Sequence, residues 1–136
     1  MNKIFVFTDG GALGNPGPAA IGAIIKNKET KRYSIHIGQA TNNEAEYEAL
    51  IFALKKIKQI FGRKKIKNLE IEFFLDSELV VNQLKGKYKI LEKNLQPLFI
   101  SVWNLKTEFK NVNFSYIPRE ENKEADNLVK EKLRNL

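Results

Sequence analysis

Four carboxylates stand out by where they fall. Asp9 closes the apolar run Ile4-Phe5-Val6-Phe7, and Asp76 closes a second run that includes Ile71, Phe73, Phe74 and Leu75. Glu46 lies on or beside the inner stripe of an amphipathic helical pattern, and Asp126 lies near the inner side of the last such pattern. Carboxylates are the side chains that hold hard divalent cations, so acids that converge would point to Mg²⁺ or Mn²⁺. Taken singly, two of them have local explanations: an aspartate between a strand and a helix is often an N-cap, and an acid beside a helix stripe is often a flank residue. Glu46 is harder to explain this way. Positions 42, 43, 49 and 50 are Asn, Asn, Ala and Leu, so no cation sits one helical turn away, and an inward carboxylate without a partner is costly.

The elements that must position these acids can be read from periodicity. Lys3 to Asp9 predicts a strand covered on both faces, followed by a loop with Gly10, Gly11, Gly14 and Gly17. Ala20 to Ile25 predicts a second strand and Tyr33, Ile35 and Ile37 the inner face of a third, an antiparallel meander. Thr41 with Glu44 three residues later is a capping box opening a helix to about Phe61. Leu69 to Leu75 is a fourth strand, then a short helix to about Leu84. A helix from about Leu95, with Pro97 in its first turn, carries Leu98, Val102, Leu105 and Phe109 inward, with Trp103 expected in the core beside them. Val112 to Ile117 is a fifth strand and the terminal helix turns Ala125, Leu128, Val129, Lys132 and Leu133 inward. A strand-helix-strand crossover implies parallel neighbours whose ends lie on the same edge, which would bring Asp9 and Asp76 together.

The chain has 136 residues, 43% of them apolar, enough for one domain with a real core. It has no cysteine, so disulfides, thiolate zinc sites and thiol nucleophiles are excluded. The only histidine, His36, falls on the opposite face of its strand from Ile35 and Ile37, as a surface residue would. No apolar run is long enough to span a bilayer and no apolar leader opens the chain, so a cytosolic (cytoplasmic) protein without membrane contact is expected. The net charge of +7 favours a polyanionic partner. Lys55, Lys56, Lys58, Arg63, Lys64, Lys65 and Lys67 form a basic run that suits a solvated helix end.

In motif order and spacing the chain resembles the type 1 ribonuclease H family. The likeness rests on Thr8-Asp9-Gly10-Gly11 with Gly14-Asn15-Pro16-Gly17-Pro18, on Thr41-Asn42-Asn43-Glu44-Ala45-Glu46, on Leu75-Asp76-Ser77, and on Glu121-Asn122 through Ala125-Asp126, and spans nearly the whole chain. It implies an α/β, ribonuclease H-like fold: a five-stranded mixed sheet, three antiparallel strands then parallel strands, with helices on both faces, as one catalytic domain over residues 1–136. It implies a metal-dependent endonuclease that hydrolyses the RNA strand of RNA–DNA hybrids, leaving 5′-phosphate and 3′-hydroxyl ends. Two Mg²⁺ ions about 4 Å apart, with Mn²⁺ able to substitute, would be held by the four acids. Asp9 would bridge both, Asp126 would help hold the ion that activates water, and Glu46 and Asp76 the ion at the leaving oxygen. The chemistry agrees, since four converging carboxylates raise one another's pKa values unless cations neutralise them.

The resemblance also places substrate contacts at Gly10, Gly11, Asn15, Thr41, Asn42, Glu46 and Ser77, with Thr41 receiving a phosphate of the DNA strand; small polar groups and close backbone approach are what reading a 2′-hydroxyl needs. For Asn15 and Asn42, turn and cap chemistry is an equal alternative. Two departures from the family bear on function. The loop Ile117-Pro118-Arg119-Glu120-Glu121-Asn122 lacks the histidine many relatives carry there, leaving Arg119 or Glu120 as substitutes, and the long basic protrusion of some relatives is absent, with Lys85, Lys87, Lys89 and Lys93 as a partial replacement. A monomer needing no protein partner is expected. Two alternatives stay open: a nuclease of this fold that also cuts double-stranded RNA, and a catalytically silent nucleic-acid-binding module.

Overall fold

The computed structural model describes residues 2–136. Five strands form one sheet in the order β3-β2-β1-β4-β5: β1 (Lys3–Ala12), β2 (Gly17–Lys26), β3 (Thr30–Ala40), β4 (Glu70–Leu75) and β5 (Asn111–Tyr116). β1, β2 and β3 pair antiparallel, and β4 and β5 extend the sheet in parallel, as the motif order implies. The helices are α1 (Asn42–Phe61), a single turn α2 (Arg63–Ile66), α3 (Glu78–Leu84), α4 (Gln96–Lys106) and α5 (Lys123–Arg134), with a 3-10 turn at Arg119–Glu121 before the last.

α1 packs on one face of the sheet, where Ile4, Val6, Ile71, Phe73 and Leu75 meet Leu50, Leu54 and Ile57 in the main core. α5 covers β1 to β3 on the other face, where Ala20, Val129 and Leu133 form a small second core. Arg32 of β3 is ion-paired with Glu124 of α5. No helix among the described residues is long and apolar enough to cross a membrane.

Two expectations are corrected. β1 does not end at Asp9. It continues through Gly10 and Gly11 to Ala12, because the antiparallel ladder with β2 runs on to the pair Ala12↔Ala19, whereas the parallel ladder with β4 stops at Phe7↔Phe74. The two glycines are therefore strand residues, and the loop is shorter, Leu13 to Pro16. Trp103 is not core either: 52% of it is exposed, stacked on Phe99 with the Lys106 ammonium over its ring. α4 lies on α1, beyond the sheet, so only the narrow stripe through Val102 is fully covered, and the neighbouring position turns about 100° away from it.

One buried polar contact ties the helices that carry and follow site residues. Tyr47 of α1 donates its hydroxyl to Gln83 Oε1 of α3 at 2.7 Å, both residues being buried. Tyr47→Phe orphans that amide oxygen, so unfolding in urea should show a loss of about 1–3 kcal/mol.

Candidate active site

The acids meet at the edge of the sheet where β4 stops. Along β1, Ile4, Val6 and Thr8 face α1, so by alternation Asp9 shares the other face with Phe5 and Phe7. Glu46 comes from the second turn of α1. Its helix starts where the sequence predicts: Thr41 accepts from the Glu44 N–H at 3.1 Å and the Glu44 carboxylate accepts from the Thr41 N–H at 2.7 Å. Asp76 follows β4 directly. It is free of capping duty because Ser77 is the N-cap of α3, its hydroxyl accepting from the Val80 N–H at 3.2 Å.

Asp9, Glu46 and Asp76 each offer an oxygen lying within 4.8 Å of the others. Asp126, in the first turn of α5, stands beside Asp9 and within hydrogen-bonding reach of it, and its own carboxylate is 3.0 Å from the Lys130 ammonium one turn on. Burial dominates the electrostatics. Asp9 is only 7% exposed and its carboxyl is pushed up to about 8, first by desolvation and then by the charges of Asp76 and Asp126. Glu46, 8% exposed, is raised well above the usual carboxylate range by burial and by Asp9 and Asp76. Asp76 is raised by burial too, against the pull of Arg119. Arg119, in the 3-10 turn, also favours the ionised form of Glu46, so the cation missing around Glu46 in sequence arrives from a distant loop.

Gly10 shows how tightly the site is built. A Cβ there would lie 2.3 Å from the carbonyl carbon and oxygen of Ala45 and 2.7 Å from the Glu46 nitrogen, so glycine lets α1 touch β1 beside the acids. Gly10 is buried, and its N–H favours the ionised forms of Asp9 and Glu46. Its presence is thus explained by internal contact. Asn15 and Asn42 also have internal bonds: Asn15 Oδ1 accepts from the Asn42 N–H at 2.9 Å, and Asn42 Oδ1 accepts from the Ala12 N–H at 2.9 Å. Both residues are exposed and their acceptor oxygens are taken, which leaves their amide N–H donors for other partners. Gly11 is half-buried between Val129 and Asn42.

Two residues of the site escaped the motif reading as site residues. Gly22 pairs with Asp9 across β1 and β2 and lies under Ala125 of α5. Asn122 is 2% exposed and donates from Nδ2 to the Thr8 carbonyl at 2.9 Å. An asparagine before a helix reads as a cap, which hides its inward role.

A mixed sheet of this order, with acids gathered from β1, α1, the end of β4 and α5, defines a ribonuclease H-like domain. Comparison with known proteins agrees. The model of a family described as reverse transcriptase-like matches residues 7–132. The bifunctional protein Rv2228c of Mycobacterium tuberculosis is 33% identical over 135 residues, covering 96% of this chain and 35% of that protein. Ribonuclease HI of Halobacterium salinarum is 35% identical over 134 residues, covering 96% of this chain and 64% of that protein. This chain thus spans about a third of the length of the mycobacterial relative. The crystal structure of LC11-RNase H1 in complex with an RNA/DNA hybrid superposes with a TM-score of 0.90 at 45% identity, covering 97% of each chain. The chain belongs to the type 1 ribonuclease H family.

Proposed function

We propose that this protein hydrolyses the RNA strand of RNA–DNA hybrids, leaving 5′-phosphate and 3′-hydroxyl ends, with Asp9, Glu46, Asp76 and Asp126 as the catalytic acids. The observation that carries this is the convergence of three carboxylates within 4.8 Å, two of them buried and the third half-buried, joined by a fourth, in a chain so similar to one solved with an RNA/DNA hybrid. The residues fit divalent cations: the donors are all hard oxygens, Glu46 Oε1 is buried without a hydrogen-bond partner, and so much unneutralised charge would otherwise oppose folding. Asp9, Glu46 and Asp76 would hold one Mg²⁺, and Asp9 with Asp126 a second, Mn²⁺ substituting. Bound there, the pair supplies Lewis-acid stabilisation of charge on the attacking and leaving oxygens. The chain itself does the rest. α1 and β1 keep Glu46 and Asp9 in place through the Gly10 contact, and Asn15 and Asn42 present amide donors beside the site, with Thr41 at the start of the same helix, where polar groups suit phosphate and 2′-hydroxyl contact. All four acids come from one chain, so the proposed site is complete in a monomer.

Purified protein should cut the RNA strand of a labelled hybrid with Mg²⁺ or Mn²⁺ and leave double-stranded DNA whole. An intact hybrid with both metals overturns the reading, and equal cleavage of double-stranded RNA in the same assay would broaden the substrate class. Arg119 takes the place of the loop histidine of many relatives, as its position facing Glu46 and Asp76 supports. Arg119→Ala should lower turnover by about 10–100-fold, the range for losing one charged group in a site of this kind. Arg119→Lys should recover part of it, and unchanged turnover in the alanine variant would remove Arg119 from the site.

A further inference from the structure

Asn122 holds the N-cap position of α5, but its side chain makes no cap hydrogen bond. Instead it points inward. Nδ2 donates to the carbonyl of Thr8, the residue before Asp9, across 114 positions of sequence. The same side chain lies against the Asp76 carboxylate. Its main-chain carbonyl accepts from the Asp126 N–H at 3.1 Å. One residue thus touches the three segments that deliver Asp9, Asp76 and Asp126.

Stability does not explain it. Asn122 Oδ1 is buried with no hydrogen-bond partner, which is a cost to folding that an apolar residue filling the same space would avoid. What the amide provides is a directional donor between two strands at the level where their acids repel one another. Carboxylates left without such a restraint would spread apart, and a cation would have to draw them together as it bound.

We propose that Asn122 is a positioning residue that fixes the mutual spacing of Asp9, Asp76 and Asp126, and thereby how strongly the site holds divalent cations. This rests on the proposed function only in taking divalent cations as the site's ligand. Partners that orient metal-binding groups typically change affinity or activity by about 10–100-fold when removed.

The test is calorimetric titration with Mn²⁺ alone, without nucleic acid, on the unaltered chain and on Asn122→Ala, both checked for folding by circular dichroism. The Mn²⁺ dissociation constant of the variant should rise by about 10–100-fold and kcat on a hybrid should fall by a similar factor. KM for the hybrid should move by less than about threefold, since the residue is buried and touches no substrate. Asn122→Asp, which keeps the shape but replaces a donor by an acceptor against Thr8 and Asp76, should weaken Mn²⁺ at least as much. Should the alanine variant fail to fold, Asn122→Ser is titrated in its place. Folded variants that bind Mn²⁺ and turn over within about twofold of the unaltered chain overturn the proposal, leaving a merely structural residue. A parent chain that binds Mn²⁺ yet leaves the hybrid intact would sink the proposed function while the titration still decides the role of Asn122.

Discussion

Asp9→Asn yields a protein that no longer cuts an RNA–DNA hybrid and yet, in the absence of divalent metal, melts at a higher temperature than the unaltered chain at pH 7. The loss of cleavage should reach at least about 10³-fold, because the substitution removes a buried acid that neighbours Glu46, Asp76 and Asp126 alike. The gain in stability follows from the same arrangement. Burial and the charges of Asp76 and Asp126 push the Asp9 carboxyl from 3.8 in the unfolded chain to about 8 in the folded one. Between those values the native state binds a proton that the unfolded chain has lost, so stability is greatest below the lower value and falls as the pH rises through the window.

At pH 7 that deficit is on the order of a few kcal/mol, and an uncharged isostere removes most of it. A rise in melting temperature of roughly 5–10 °C is the expected reading for a domain of this size. Metal should act on the unaltered chain far more than on the variant. Mg²⁺ raises the melting temperature of the unaltered chain and flattens its fall with pH, because cations replace the missing protons, while the variant responds little. Thermal melts from pH 4 to 8, in chelator and in Mg²⁺, check both statements. An Asp9→Asn protein that is less stable than the parent in chelator at pH 7 would show that the acids are not strained by one another.

What could be read from the chain alone depended on whether the cause was local. The capping box at Thr41 and Glu44, the β4 run ending at Asp76 and the start of α4 at Pro97 are set by neighbours in sequence, and each lies where it was expected. The four acids drew notice because each closes an apolar run or lies near the inner side of a helical pattern, and the motif order supplied the rest, although β1 itself runs on past Asp9. The end of β1 was not legible. Whether glycine continues a strand or leaves it depends on the partner strand, and here β2 runs on past the point where β4 stops. The exposure of Trp103 was hidden for a related reason: a hydrophobic stripe shows that a helix packs, not how wide the surface beneath it is, and α1 offers only a narrow one. Asn122 and Arg119 were named in the motif reading, Asn122 within the last block and Arg119 as a stand-in for the loop histidine, but their contacts with Thr8 and Glu46 join residues scores of positions away and follow from no local pattern.

Gly22→Ala tests how the helices are brought to the acids. A Cβ at position 22 would lie 2.7 Å from the Ala125 carbonyl oxygen and 3.0 Å from Leu128 Cβ, both fixed parts of α5. Unlike a clash with the tip of a flexible side chain, this one is relieved only by moving the helix. Ala125 is the residue before Asp126, so the movement is passed directly to the acid, and Gly22 is itself the partner of Asp9 across the ladder. Gly10 performs the matching service under α1, beside Glu46. Two neighbouring strands thus carry a glycine on opposite faces at the level of Asp9, and two helices close to backbone contact there, each bearing one acid. Overpacking of this kind costs about 1–3 kcal/mol, which chemical denaturation should record for Gly22→Ala. Cleavage should suffer more than stability does. With Asp126 displaced by about 1 Å, turnover should fall on the order of 10²-fold at a temperature where the variant remains fully folded. Mn²⁺ titration should show weakened binding in step, whereas turnover per folded molecule equal to that of the unaltered chain would mean that α5 can yield at Gly22 without moving its acid.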